Sequence, residues 1–254
     1  MKLTSLAFIA LAGLSMGLAP APTGPPAYPW GVGEQFEYAG KWNGLNLGKA
    51  TISVTGIDTV RGVESYVFRF TLDVSSFVYK SSSVLQSWTG TGDLISRRFH
   101  QDLQENGKER QRYYEIWPDS GIFRQENRDW VKETPPEPLD DAAFFYFVRT
   151  LPLELGKTYS FDRYFKKELN PLTIKVVKRE QLELPDKSKV DCLVLQPIIG
   201  DDGLFAPHAE AKLWLTDDSR RIPVQIKSKL PFGTVTLRLT SMKLSDPPAA
   251  TTGP

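Results

Sequence analysis

The chain has 254 residues, with 31 lysines and arginines against 30 aspartates and glutamates, two histidines and one cysteine. One cysteine cannot build a disulfide framework within the chain, and the balanced charge is not that of a protein that binds nucleic acid through its phosphates. An aromatic content of 11% argues against disorder along the whole length, and at most one apolar run approaches the length of a membrane span. The prediction is a globular protein of one or two domains.

Residues 1–21 are typical of a secretory signal peptide. Lys2 gives a positive start, residues 6–18 form an apolar stretch, and Ala19 and Ala21 form an A-x-A cleavage pattern. The proline-rich segment that follows cannot continue a helix, which favours export over a membrane anchor. A proline follows each of these alanines, so the cleavage site stays open. We predict a protein of the periplasm or outer envelope that is not an integral membrane protein after cleavage.

The rest of the chain is dominated by alternation of apolar and polar residues with a period of two, which predicts half-buried strands. The clearest segments are residues 36–42, 50–55, 66–73, 172–176 and 235–239. Runs of this kind, separated by turn residues, add up to roughly a dozen strands. The predicted organisation is a signal peptide at residues 1–21, a Pro-rich tether at residues 22–29, a single β domain at residues 30–244 and a disordered tail at residues 245–254.

One segment predicts a helix. Asp140 or Asp141 can cap it, it continues to Arg149, and Pro152 ends it. The helix is apolar on nearly every face, so it must be largely buried. The predicted fold is therefore mainly β: a single strongly curved antiparallel sheet, either a half-barrel or an open barrel, with this helix on its concave side.

Catalytic signatures are scarce in the sequence. The G-x-S-x-G elbow, the phosphate-binding loop and the H-E-x-x-H motif are all missing from it. His100 and His208 are too few for a histidine-based metal site. The carboxylate doublets lie where aspartate caps a turn or a helix; they are Asp140-Asp141, Asp201-Asp202 and Asp217-Asp218. We predict no catalytic residues, no metal and no cofactor, and expect that the protein is not an enzyme.

The aromatic residues and one arginine supply the candidate binding residues. In a curved sheet, large rings either fill the core or line an apolar cavity. We take Trp42, Phe68, Tyr146 and Trp214 as the residues that line such a cavity. Arg149 lies on the apolar helix, where a bare charge is costly. It either pairs with an acid, such as Asp140, Asp141 or one from the sheet, or holds the anionic head group of a ligand.

Four sequence islands carry a resemblance to a known family. They are PWGVGEQFEY, DDAAFFYFVR, VVKREQLELP and KLWLTDDSRRIPVQIKSKLPFGTVTLRL. Together they resemble the bacterial exported proteins classed as domain of unknown function 3108, from about Trp30 to Leu244. The family has no established activity, so the resemblance implies no catalytic residues. At the level of the fold, it implies similarity to the open half-barrels that carry lipoproteins and lipids across the periplasm.

These observations lead to a functional hypothesis and its rivals. The first is an exported, non-enzymatic envelope protein that binds an apolar or amphipathic ligand, such as a lipid, in the cavity of the curved sheet. The alternative is a structural or assembly factor that docks another envelope protein. A third class, a hydrolase with an unrecognised carboxylate site, requires two acids that face each other in an open cleft.

Overall fold

A computed structural model of the chain describes residues 28–75, 80–105, 107–200, 205–230 and 233–245. The predicted signal peptide lies outside the described residues, as do most of the predicted tether and tail. The Asp201-Asp202 doublet lies outside them as well. The sequence predictions for these segments therefore stay predictions.

The described residues form fourteen strands. They are β1 (Gln35–Trp42), β2 (Leu45–Val60), β3 (Val63–Ser75), β4 (Lys80–Gly90), β5 (Ser96–Glu105), β6 (Lys108–Trp117), β7 (Ile122–Gln125), β8 (Lys132–Glu133), β9 (Thr158–Phe161), β10 (Leu172–Glu183), β11 (Lys189–Ile198), β12 (Lys212–Thr216), β13 (Pro223–Leu230) and β14 (Gly233–Lys243). All belong to one antiparallel sheet, in the order β8-β7-β6-β5-β4-β3-β2-β1-β14-β13-β12-β11-β10-β9. Since β8 and β9 are its two edges, the sheet is not closed into a barrel.

The first and the last described strands pair with each other in the middle of the sheet. Gln35 of β1 lies opposite Lys243 of β14, and the backbone N–H of Gly31 donates to Ser245 Oγ at 2.6 Å. Every other pair of neighbours in the sheet is also adjacent in the chain. The fold is thus two meanders of hairpins joined by the β1–β14 pair.

The predicted helix is present as α1 (Asp141–Phe147), and a 3-10 turn extends it over Val148–Thr150. Asp140 caps it, because its carboxylate accepts hydrogen bonds from the backbone N–H groups of Ala142 and Ala143. The residues from Ala142 to Phe147 are all buried, and α1 packs on β3 and β4. The predicted fold class, mainly β with one open, curved antiparallel sheet and one helix, is confirmed.

Aromatic side chains fill the face of the sheet that carries α1. Phe36 of β1 lies opposite Ile52 of β2, which lies opposite Phe70 of β3, and Phe70 stacks on Phe145 of α1. Alternation along each strand brings such residues to one face. The largest fully buried side chains are Trp30, Tyr38, Tyr146, Phe36, Phe68, Phe99, Phe123, Phe144, Phe165, Ile52, Ile116 and Leu139.

We call the face of the sheet that points away from α1 the outer face. Arg238 follows the buried Leu237 on β14 and so points to this face. Its guanidinium donates to the carbonyl of Glu183, at the end of β10. Since three strands separate β14 from β10, this half of the sheet curls over its own outer face. Cys192 of β11 is fully buried there, and burial raises the pKa of its thiol to about 12.

Candidate functional site

Two of the predicted binding residues meet in the core, between the sheet and α1. The rings of Phe68 and Tyr146 stack with centroids 3.8 Å apart and an interplanar angle of 10°. Their exposed fractions are 0% and 1%, and Trp30 closes the cluster edge-on to both rings. At this point of the core, the aromatic rings therefore pack against one another.

Arg149, also a predicted binding residue, lies beside this cluster and is paired inside the protein. Its Nη1 and Nη2 donate to the Oε1 and Oε2 atoms of Glu34 at 2.6 and 3.1 Å. The side chains are 1% and 0% exposed. Nη2 also donates to the carbonyl of Arg220 at 3.0 Å. The structure therefore shows Arg149 in an ion pair, and its partner, Glu34, is neither Asp140 nor Asp141.

Two buried polar atoms near this ion pair have no hydrogen-bond partner among the described residues. They are the indole Nε1 of Trp30 and the hydroxyl of Tyr146. Burial, and next the charge of Glu34, hold the pKa of Tyr146 well above its usual value. A phenol with a raised pKa stays neutral at physiological pH, so it does not serve as a general base there.

The other two predicted binding residues, Trp42 and Trp214, lie apart from this core. Trp42 ends β1 opposite Leu45, the first residue of β2. Their exposed fractions are 36% and 68%, so the tip of this hairpin is apolar and exposed. Trp214 lies on the outer face, because it is opposite Gln225 of β13, which is opposite the outward-pointing Arg238 of β14.

Trp214 forms the floor of a pocket of about 400 Å³ on the outer face. This residue is only 5% exposed, and its indole Nε1 donates to Glu180 Oε2 at 3.3 Å. The curl of the sheet builds the pocket, since β10 forms one wall and β13 the opposite wall. The lining residues are Lys178, Glu180, Glu210, Lys212, Trp214, Gln225, Lys227, Lys229 and Thr234.

The two glutamates of this pocket form ion pairs with two of its lysines. Lys178 Nζ lies 2.7 Å from Glu180 Oε2, and Lys229 Nζ lies 3.5 Å from Glu210 Oε1. The hydrogen bond from Lys178 is the main reason that the pKa of Glu180 is lowered, and Lys212 adds to this effect through its charge. With four lysines and two glutamates, the pocket has an excess of positive charge.

A second group of acids lies at the start of α1. Burial raises the pKa of Asp140 to about 6, although Ser87 Oγ donates to its carboxylate at 2.6 Å. Asp141 accepts a hydrogen bond of 3.1 Å from the hydroxyl of Tyr164. Asp140 uses its other oxygen to cap the helix. Asp140 thus has the capping role expected from the sequence, whereas Asp141 is held by side-chain contacts.

The remaining described doublet also has partners within the protein. Asp217 pairs with Arg179 and Arg221 at 2.7 and 2.9 Å, and Asp218 accepts from the hydroxyl of Thr216 at 2.7 Å. No group of three or more His, Cys, Asp or Glu side chains that could hold a metal occurs among the described residues.

Sequence reasoning missed Lys227 and Glu180 as neighbours of Trp214. The strand patterns show that Lys212 shares a face with Trp214, but they do not show which face points away from the helix. The position of Lys227 depends on a β-bulge, because the β12–β13 register shifts between Trp214 and Leu215.

Comparison with known proteins settles the family. A family model described as a protein of unknown function (DUF3108) matches residues 37–240, which is most of the chain. The chain belongs to this family. The resemblance seen in the sequence is thereby confirmed, and no curated protein matches this DUF3108 chain.

Solved structures similar to this DUF3108 protein support the fold alone. A β-barrel-like protein of domain of unknown function DUF1849 from Brucella abortus is 8% identical, with 85% of this chain and 99% of that chain covered and a TM-score of 0.54. A hypothetical protein from Chlamydia trachomatis is 13% identical, with 84% and 91% covered, but its TM-score of 0.27 supports no argument. Within the described ranges, no helix is long and apolar enough to cross a membrane.

Proposed function

We propose that this protein is an exported, non-enzymatic envelope protein that binds an amphipathic ligand in the pocket of the outer face. The observation that carries the proposal is the pocket of about 400 Å³ above Trp214. Its volume lies within the range of about 300–1,000 Å³ that is typical of small-molecule sites. It combines an aromatic floor with a polar, charged rim, as a ligand with an apolar and a polar part requires.

The composition of the core supports this location. Trp30, Phe68 and Tyr146 are packed against one another on the helix side of the sheet, so a ligand there would have to displace them. Close-packed interiors resist such insertion. The ligand expected from the sequence is therefore assigned to the other face of the same sheet, where Trp214 lies.

A filling substitution tests the site. Thr234 lines the pocket, and Thr234→Trp should block it, whereas Thr240→Trp, on an exposed position of the same strand, should not. We expect native mass spectrometry to detect a ligand that co-purifies with the wild type and with Thr240→Trp from an envelope fraction. Thr234→Trp should lack it. Equal ligand occupancy in all three proteins would refute the site.

Export is tested separately. The full chain, expressed in a bacterium with two membranes, should appear in the periplasmic or outer-envelope fraction, and its first residue should follow the predicted signal at residues 1–21. A cytoplasmic protein that still begins with Met1 would contradict this part of the proposal.

One observation favours the alternative, a factor that docks another envelope protein. The hairpin between β1 and β2 exposes Trp42 and Leu45 side by side, and exposed apolar groups of this kind mark contact surfaces. Crosslinking in intact cells should then give one stoichiometric partner, which the Leu45→Ser variant loses. If the same partner is retained by that variant, the tip is not the docking surface.

A further inference from the structure

The pocket on the outer face contains two lysines that oppose each other. Lys212 of β12 lies directly opposite Lys227 of β13 in the antiparallel pair. Side chains in such positions have Cβ atoms about 4.5–5.5 Å apart, and like charges there are destabilising. Neither lysine forms an ion pair with a carboxylate of a described residue, whereas Lys178 and Lys229 at the two sides do.

The surroundings of this lysine pair leave its charge unbalanced. Trp214, next but one to Lys212 on the same strand, lines the pocket beside it. Glu180 and Glu210 are held by Lys178 and Lys229, so the charge left over in the pocket equals that of two ammonium groups.

We propose that Lys212 and Lys227 bind the phosphate group of the ligand, with one ammonium group on each side of it. This inference rests on the proposed function and names the polar part of the amphipathic ligand. A phosphate with two negative charges balances both ammonium groups and offers several oxygens to them. Lysine binds phosphate as a point charge that needs no fixed geometry, which suits two flexible side chains that reach from neighbouring strands.

The first test measures melting temperature with inorganic phosphate against chloride at constant ionic strength. Binding to the folded state alone raises the melting temperature, so phosphate should stabilise the wild type. Lys212→Gln and Lys227→Gln should lose this shift, and without phosphate they should melt no lower than the wild type because the repulsion is gone. Lys175→Gln, on an exposed position of β10 opposite Gln196, should keep the shift. A full phosphate shift in Lys227→Gln would overturn the inference.

The second test separates the phosphate group from the apolar part of the ligand. Dodecyl phosphate and dodecyl maltoside share a chain and differ in their head groups, and both are titrated by calorimetry below their micelle concentrations. We expect dodecyl phosphate to bind the wild type about tenfold or more tightly than the maltoside, since hydrogen bonds to charged groups are the stronger ones. Lys227→Gln should abolish the difference.

The two proposals fail in different ways. Equal binding of both detergents at the pocket would overturn the phosphate site and leave the proposed function standing. If inorganic phosphate raises the melting temperature through Lys227 but neither detergent binds more tightly than free phosphate, the phosphate site stands and the amphipathic ligand is refuted.

Discussion

Replacing Arg149 by methionine should strongly destabilise the protein. The substitution leaves the carboxylate of Glu34 buried, with 0% of its side chain exposed, and removes the guanidinium that lies 2.6 Å from it. It also deprives the carbonyl of Arg220 of a donor. Breaking a buried ion pair from one side costs about 3–5 kcal/mol. At about 2–4 °C per kcal/mol for a chain of this size, the melting temperature should fall by roughly 6–20 °C.

Urea denaturation and thermal melting, followed by near-ultraviolet circular dichroism, measure this loss. The double variant Glu34→Gln/Arg149→Met should lose less than the sum of the single losses, because neither charge then stays buried. Lys132→Met serves as a control, since its pair with Glu168 at 3.4 Å is about half exposed, and it should leave the melting temperature nearly unchanged. If Arg149→Met is as stable as this control, or if the double variant is additive, the argument for a structural ion pair is refuted.

Three further predictions concern the rest of the fold. Burial raises the pKa of Asp140 from its usual value of 3.8 to about 6, so the folded state holds this proton more tightly than the unfolded chain does. The stability of the wild type relative to Asp140→Asn should therefore fall by up to about 3 kcal/mol as the pH rises from 4 to 7. Urea denaturation of both proteins at pH 4 and pH 7 measures this, and the same stability difference at both pH values would contradict it. Phe68→Ala should cost about 3–5 kcal/mol in urea melts, against less than about 0.5 kcal/mol for the exposed Leu45→Ala. Gly48→Ala should lower the melting temperature, since its Cβ would lie 1.8 Å from the Asp73 carbonyl oxygen, whereas Gly56→Ala meets nothing within 4 Å and should not.

Local signals in the sequence were sufficient for the helix and for the strands. Asp140 is a good N-cap next to an apolar run, and Pro152 cannot continue a helix, so both ends of the segment are encoded within a few residues of it. Alternation likewise identifies which residues of a strand share a face. These signals need no knowledge of the rest of the chain.

The candidate site depends on contacts that local signals do not contain. Glu34 is 115 residues from Arg149 in the chain, and no periodicity connects them. Trp214 has the flanking leucines of a core strand, yet the register places Leu213 on the helix side of the sheet and Trp214 on the outer face. The curl that brings Lys178 of β10 near Lys227 of β13 arises from the whole sheet, so the pocket could not be predicted from either strand.

The pairing of β1 with β14 sets an order for folding. All the hairpins on either side of this pair join strands that are close in the chain and can form as soon as both strands are available, whereas the β1–β14 ladder needs residues about 200 positions apart. During synthesis from the N-terminus, the two meanders can therefore assemble one after the other. The central seam between them closes only after the last strand has been made, and until then β1 presents an open edge with which another chain could pair.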